Sequence, residues 1–515
     1  MKNNYLDAEG VPDNWDKAVA CYQNAAEQGD ARGQRRLGYC YYHGVGKPKD
    51  LAKAVQLFRK AAEQGDARAQ YNLGLCYSYG HGVAQDARIA VEWFRKGAAQ
   101  GIAGAQRHLG FSYQLGIGVD KDIKQGADWI RKAAEQGDAD AQNHFGLYIA
   151  ASRDLPEHLS QAAEWYRKAA EQGHAGAQSN LGMCFLRGEG VAKDDQKAIE
   201  WLLKAVNQGD DEAYNRLGAC YENGYGVPMD KSKAVELYRK AAKQGNASAQ
   251  CRLGICYMTG AGVRKNAAAG VAWFRKASEQ GYAHAQNNLG RCYFGGLGVT
   301  KDLFKAADYY RKAAEQGHAN AQYRLGMCYE KGDGGCRNRA KALELWRKAA
   351  EKGDPGAQYA LGNSTMEGIG VARDFAKAAG HHAHASEQGH AEAQYNLGCL
   401  YANGLGVAQD LAKSAELFCK AAMQGLAEAQ YNLGCYYAEG TGVPRDLSQA
   451  AEWYQKSADQ GYSDAQNNLG YCYATGKGVP KDLAKAAKYF RMAGDQGDSI
   501  AMHNLEEWYK MGEKK

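Results

Sequence analysis

The sequence predicts an all-α protein, an α-solenoid of about fourteen 36-residue helix–loop–helix repeats, and three observations carry that prediction. A Gln–x–x–Leu–Gly core returns as Gln34/Leu37/Gly38, Gln70/Leu73/Gly74 and Gln106/Leu109/Gly110, and runs on to Gln466/Leu469/Gly470 at an unchanged spacing of 36 residues. Within one copy the apolar positions recur at i, i+4 and i+8, which is one face of a helix rather than a strand. Glycine is in excess, 64 of 515 residues with only 7 prolines, against an ordinary ~7% and ~5%. Collagen and Pro/Gly-rich disorder need both residues together, so something places glycine alone. Length by itself would suggest about three domains, but a fixed period of this kind means one stacked array.

Residues 66–101 show the unit. Ala69, Leu73 and Tyr77 form the inner stripe of a first helix, A, and Gly80-His81-Gly82 ends it, as glycine does where a chain leaves a helix through positive φ. Asp86 is placed to cap a second helix, B, because its carboxylate accepts first-turn amides. Ala90, Phe94 and Ala98 line the inner face of B, and Gly101 closes it. Helices this short are marginal alone in water, so stacking must bury both stripes. Four glycine phases, those of Gly29, Gly38, Gly44 and Gly46, hold most of the 64.

Together the Gln–x–x–Leu–Gly core, the tyrosine after it, the Gly–x–Gly–Val loop, the Lys–Ala step, the helix-B aromatic pair and the closing Lys–Ala–Ala–x–Gln–Gly resemble Sel1-like repeats, a branch of the tetratricopeptide-type solenoids. The resemblance covers essentially the whole chain. It implies paired antiparallel helices in a right-handed superhelix, with scaffold or adaptor roles and no shared chemistry. A single array over 1–515 is expected, with a truncated first repeat at 1–29, regular repeats over 30–497 and a capping helix over 498–515. Met1, Asn4 and Tyr5 fall at the Leu37, Cys40 and Tyr41 phases, so the chain opens midway through a helix A and an upstream segment is expected. Residues 150–160 lack the loop glycines, and residues 363–390 replace the helix-A tyrosine by Thr365 and the helix-B aromatics by His381 and His382.

Composition excludes several classes. The charge, 64 basic against 58 acidic side chains, is too slight to name nucleic acid or an anionic membrane as partner. No apolar stretch reaches the ~18 residues of a membrane span. Eight of the 14 cysteines share the Cys40 phase; their equivalents one stacked helix apart exceed the ~7 Å disulfide limit, so reduced structural thiols and a cytoplasmic setting are expected. Asn246-Ala-Ser248 and Asn363-Ser-Thr365 are glycosylation sequons and keep a secreted or lumenal effector open as an alternative. A second alternative, an enzyme-like or ligand-binding protein, comes from the resemblance: cysteine-rich relatives pair cysteines within a repeat and have been linked to penicillin-type ligands.

Candidate chemistry is sparse. His381, His382, His384 and His390 are the one local cluster with metal-like spacing, yet His381 and His382 occupy the aromatic slot of helix B. The Gly–x–Gly loops follow helices and lack the Walker lysine, so they are turns. The basic ladder from Arg59-Lys60 to Arg347-Lys348 is offset one turn on by Glu63, Glu135 and their equivalents and suits the helix C-terminus. No catalytic, cofactor or metal-binding residue is therefore assigned. With Leu73 toward the core and 100° per residue, the opposite side of helix A carries Tyr71, Leu75, Arg107, Phe111, Met183, Met258, Arg291, Phe294, Tyr323, Met327, Tyr359, Tyr395, Tyr431 and Tyr471. By resemblance that side lines the concave groove, with Arg324, Asn396 and Asn432 beside it to bond a peptide backbone. Tyrosine, methionine and arginine are what interface centres enrich, so a protein or peptide partner is expected there. Packing between adjacent A helices is the competing reading of the same residues.

Overall fold

A computed structural model describes residues 15–152 and 157–512, with side chains to residue 507. The expectations placed on Met1, Asn4 and Tyr5, on residues 153–156 and on residues 513–515 fall outside it. Among the described residues every regular element is helical, 28 in all, from Trp15–Glu27 to Ser499–Gly512. A and B helices alternate as antiparallel hairpins, and each hairpin packs on the next within two compact units, one running to Lys265 and one from Asn266 onward.

The local signals act as read. Asp66 caps helix Ala67–Tyr79 by accepting from the Ala69 amide at 2.8 Å, and Asp86 caps Ala87–Ala99 through Arg88 and Ile89 at 2.9 and 3.0 Å. Three helices use histidine instead: Nδ1 of His174, His318 and His390 accepts from the amides of Ala177, Ala321 and Ala393. Two glycines are dictated by contact. A Cβ on Gly74 would stand 2.6 Å from the Phe94 ring, and one on Gly82, at φ 74°, would stand 2.3 Å from the Leu51 carbonyl oxygen of the preceding hairpin. The first glycine lets A and B meet; the second seats each loop on the previous B helix.

Between these contacts lies the core. Ala69, Leu73, Cys76, Ala90, Phe94 and Ala98 are at most 2% exposed, and truncating such a phenylalanine costs about 3–5 kcal/mol. Tyr77, expected inside, sits half-buried at the edge, where its hydroxyl accepts from Arg59 Nη2 at 2.6 Å. A glutamine relay crosses many of the junctions. The buried Gln70 donates to the Ala62 carbonyl of the previous B helix at 3.2 Å and accepts from Gln100, at the end of its own B helix, at 2.9 Å. The same pair of bonds recurs at Gln106, Gln142, Gln394 and Gln430. This explains the glutamine in both halves of the motif: a buried amide must be satisfied.

Candidate functional site

The face of the A-helix row opposite the B helices divides into packed and open stretches. Tyr71 and Leu75 are 5% and 2% exposed, so in that repeat the expected groove residues are core. The cause is the next repeat: the Tyr71 ring lies against Phe94 and His108, and a Cβ on Gly104 would meet it at 2.7 Å. Arg107 is likewise withdrawn, its guanidinium paired with Asp138 at 3.2 Å and Asp140 at 3.4 Å. Asp140 is pushed down to about 2, first by the His174 side chain that donates to it at 3.1 Å and then by the Arg107 charge.

The remaining candidates are half-buried or exposed. Phe111 packs on His144 at 4.6 Å, Met258 is half-buried, and Arg291, Phe294 and Tyr471 are exposed. Tyr359 stacks on His390 at 4.6 Å, Tyr395 meets Phe418 at 5.7 Å and Tyr431 meets Tyr462 at 5.3 Å. The polar residues expected to serve a peptide backbone already bond between or within repeats: Asn396 donates to Asn363 at 2.8 Å, Asn432 to the Tyr395 hydroxyl at 3.3 Å, and Arg324 to Asn320 at 2.9 Å. Inter-repeat packing and surface exposure are thus combined in the same tyrosines.

Two clefts open beside the A helices, walled partly by B-helix and loop residues, each at a departure from the repeat pattern. One, of about 240 Å³, is lined by Tyr323, Met327, Tyr359, Trp346 and Ala360 and rimmed by Glu330 and Glu367. Ala360 stands at the phase where its neighbours carry Arg324 and Asn396, so the side chain that would fill the space is missing. Glu330 is held below the usual carboxylate range by the side chains of Arg339 and Arg337. The second cleft, of about 680 Å³, reaches from Met183 and Arg187 across Asn215 and Arg216 to Arg252. Here the tyrosine phase carries Asn143, Ser179, Asn215 and Cys251 in succession. Of these four only Asn215 is part of the cleft wall; sequence reasoning read the phase but not the opening beside it.

The other candidates resolve into structure. His382 is fully buried against Gly362 in the aromatic slot, and His381 Nδ1 faces Gln358 Oε1 at 2.7 Å. Among the described residues no group of three or more metal-ligating side chains comes together. The basic ladder covers indole rings, with Lys96 over Trp93 at 4.1 Å and Lys204 over Trp201 at 3.8 Å. All 14 cysteines are free thiols, and burial pushes Cys76 up to about 12 and Cys40 to about 11. Asn246, in the first sequon, caps a helix through the Ala249 amide and donates to Asp211 and Glu212. No helix among the described residues is long and apolar enough to cross a membrane.

An array of stacked 36-residue helical hairpins defines a class, the α-solenoids. The family model of the Sel1 repeat matches fourteen consecutive segments, beginning at residues 4–30, 31–66 and 67–102 and ending at 463–498. The chain belongs to the Sel1 repeat family. It is similar to a protective antigen of uropathogenic Escherichia coli with an SLR fold, at 35% identity over 89% of this chain and 90% of that one, with a TM-score of 0.58. A Sel1 repeat protein from Oxalobacter formigenes is 31% identical over 62% of this chain and 97% of its own, with a TM-score of 0.43. An immunity protein from Pseudomonas aeruginosa is 26% identical over 41% and 81%, with a TM-score of 0.33. No curated protein matches the chain.

Proposed function

We propose that this protein is a non-catalytic scaffold that holds a protein or peptide partner along the groove lined by its A helices, on the side opposite the B helices. Solenoids of this class are typically protein-interaction scaffolds, and function must come from the surface they present. The observation that carries the reading is the 240 Å³ cleft between Tyr323, Met327 and Tyr359. Aromatic and methionine walls around a gap of that size accept one apolar side chain of a partner as an anchor. Arg291, Phe294 and Tyr471 extend the accessible surface on either side.

The test fills the cleft without disturbing the tyrosines. Ala360→Arg places there the residue that already stands at Arg324. Loss of partner capture from the native host, with melting unchanged, supports the reading; undiminished capture by a folded variant sinks it. The same reading puts the chain in a reducing, cytoplasmic setting, which suits 14 cysteines outside any disulfide. Mass-spectrometric thiol counting on protein from its host checks that part, and several disulfides would overturn it.

A further inference from the structure

Tyr359 forms one wall of the aromatic cleft, and its ring rests on histidine. His390 stacks on it with centroids 4.6 Å apart and planes 24° off parallel, and His382 meets it at 5.8 Å. His390 also caps helix Ala391–Asn403, where its Nδ1 accepts from the Ala393 amide at 3.4 Å. The same nitrogen lies 3.3 Å from Glu392 Oε2. An N–H donor and a carboxylate acceptor thus compete for one atom.

Protonation decides between them. A neutral imidazole with its hydrogen on Nε2 serves only the amide. An imidazolium carries hydrogen on both nitrogens, so Nδ1 then serves only Glu392 and repels the amide it capped. The two other histidine caps, His174 and His318, use Nδ1 in the same way, but their neighbours Asp140 and His284 stand at Nε2. The charged and titratable groups around His390 are Glu392 on its own helix, Asp354 and Tyr359 on helix Pro355–Glu367, and His382 on helix Phe375–Glu387. Burial lowers His390 from the usual 6.5, while the Glu392 and Asp354 carboxylates oppose that. The ring is neutral at pH 7 and takes its second proton on acidification.

We propose that His390 is an acid-operated switch on the aromatic cleft: in exchanging the Ala393 amide for Glu392 it takes Tyr359 with it, and the cleft releases the apolar anchor it holds at neutral pH. This rests on the reading of that cleft as the anchor site for a partner and adds its regulation. The neutral form is the one in which Tyr323, Met327 and Tyr359 enclose a gap of about 240 Å³. Apparent affinity therefore scales with the fraction of chains in that form.

The test uses the full chain with carbon-13 methyl methionine, which places a reporter at Met327 in the cleft wall; Met327→Leu assigns its signal. The probe is indole, an aromatic anchor that stays uncharged from about pH 7.5 to about pH 5.5. Near pH 7.5 indole should shift the Met327 signal to saturation. Near pH 5.5 the signal of the free protein should move, and indole should bind about threefold or more weakly. His390→Asn keeps a capping oxygen for Ala393 but nothing that titrates, so it should bind indole alike at both values. His382→Phe should still respond, which separates the switch from acid loosening of that buried slot. A response that persists in His390→Asn, or is lost only in His382→Phe, overturns the proposal. If indole binds the wild type equally at both values, only the switch falls; if indole leaves Met327 unmoved at either, the anchor reading falls and the switch with it.

Discussion

Lys352 leaves Gln322 without a donor. At this position the other relays end in glutamine: Gln100 reaches both the Gly65 carbonyl at 3.1 Å and Gln70 Oε1 at 2.9 Å. Lys352 makes only the first of these bonds, to Gly317 O at 2.6 Å, and Gln322 Oε1 stays buried with no partner. Gln322 still donates to the Ala314 carbonyl at 3.2 Å, so half of the relay survives.

Lys352→Gln should therefore stabilise its repeat, by about 0.5–1.5 kcal/mol, since it restores a buried hydrogen bond and keeps the one to Gly317. Native-state hydrogen exchange at amides of residues 319–351 reads the local effect, because stability in such arrays is carried by neighbouring repeats. Slower exchange is expected there. Unchanged or faster exchange would show that the relay contributes nothing at this junction.

Gly74→Ala should destabilise by about 1–3 kcal/mol, as overpacking of a tight core does. The added Cβ would meet the Phe94 ring at 2.6 Å, whereas at the matching Gly182 the partner is Leu202 and the approach relaxes to 3.0 Å. Phe94→Leu in the same chain should then recover part of the loss, so the double variant costs less than the two single ones together. Urea unfolding of the four proteins measures the coupling. Strict additivity would mean that the glycine is not there for the aromatic.

Much of the fold was legible because its signals are local and repeated. Asp86, Gly80 and the Ala69–Leu73 stripe act within one hairpin, and a phase seen many times averages out exceptions. What lay between repeats was not legible. The angle of Tyr71 on its helix marks it as outward, but only the stacked helix carrying Gly104 turns that direction into core. The glutamines were visible as a motif, while their relay needs the B-helix end to arrive beside the A helix. The clefts came from residues missing at a phase, Ala360 and Asn215 among them, and a consensus reading attends to what recurs.

Thiol accessibility gives a third test. Cys21 and Cys336 are exposed, Cys399, Cys419 and Cys435 are half-buried, and the other nine of the 14 are buried. Burial also raises Cys184, Cys220, Cys256 and Cys292 to about 11, which removes thiolate at neutral pH. A chromogenic disulfide reagent should consume two thiols at once in the native protein, a few slowly, and the rest only in denaturant. Rapid reaction of all 14 without denaturant would contradict the packed core.

His382 should make the second unit acid-sensitive. It fills the slot of Phe58 and Phe94, is 0% exposed, and neither ring nitrogen has a partner. Burial, then the neighbouring His381 and His390, lowers it from the usual 6.5 to about 4. A histidine depressed in the folded state binds its proton more readily when unfolded. Its contribution is therefore complete above about pH 6.5 and is lost as pH falls toward 4, by roughly 2 kcal/mol at pH 5. His382→Phe restores the aromatic found elsewhere and should flatten that part of the profile, leaving the other buried histidines, such as His108, to set the remainder. Urea midpoints of both proteins at pH 7 and pH 5 decide it: the wild type should lose more between the two than the phenylalanine variant, and parallel losses would show that His382 is not the group being protonated.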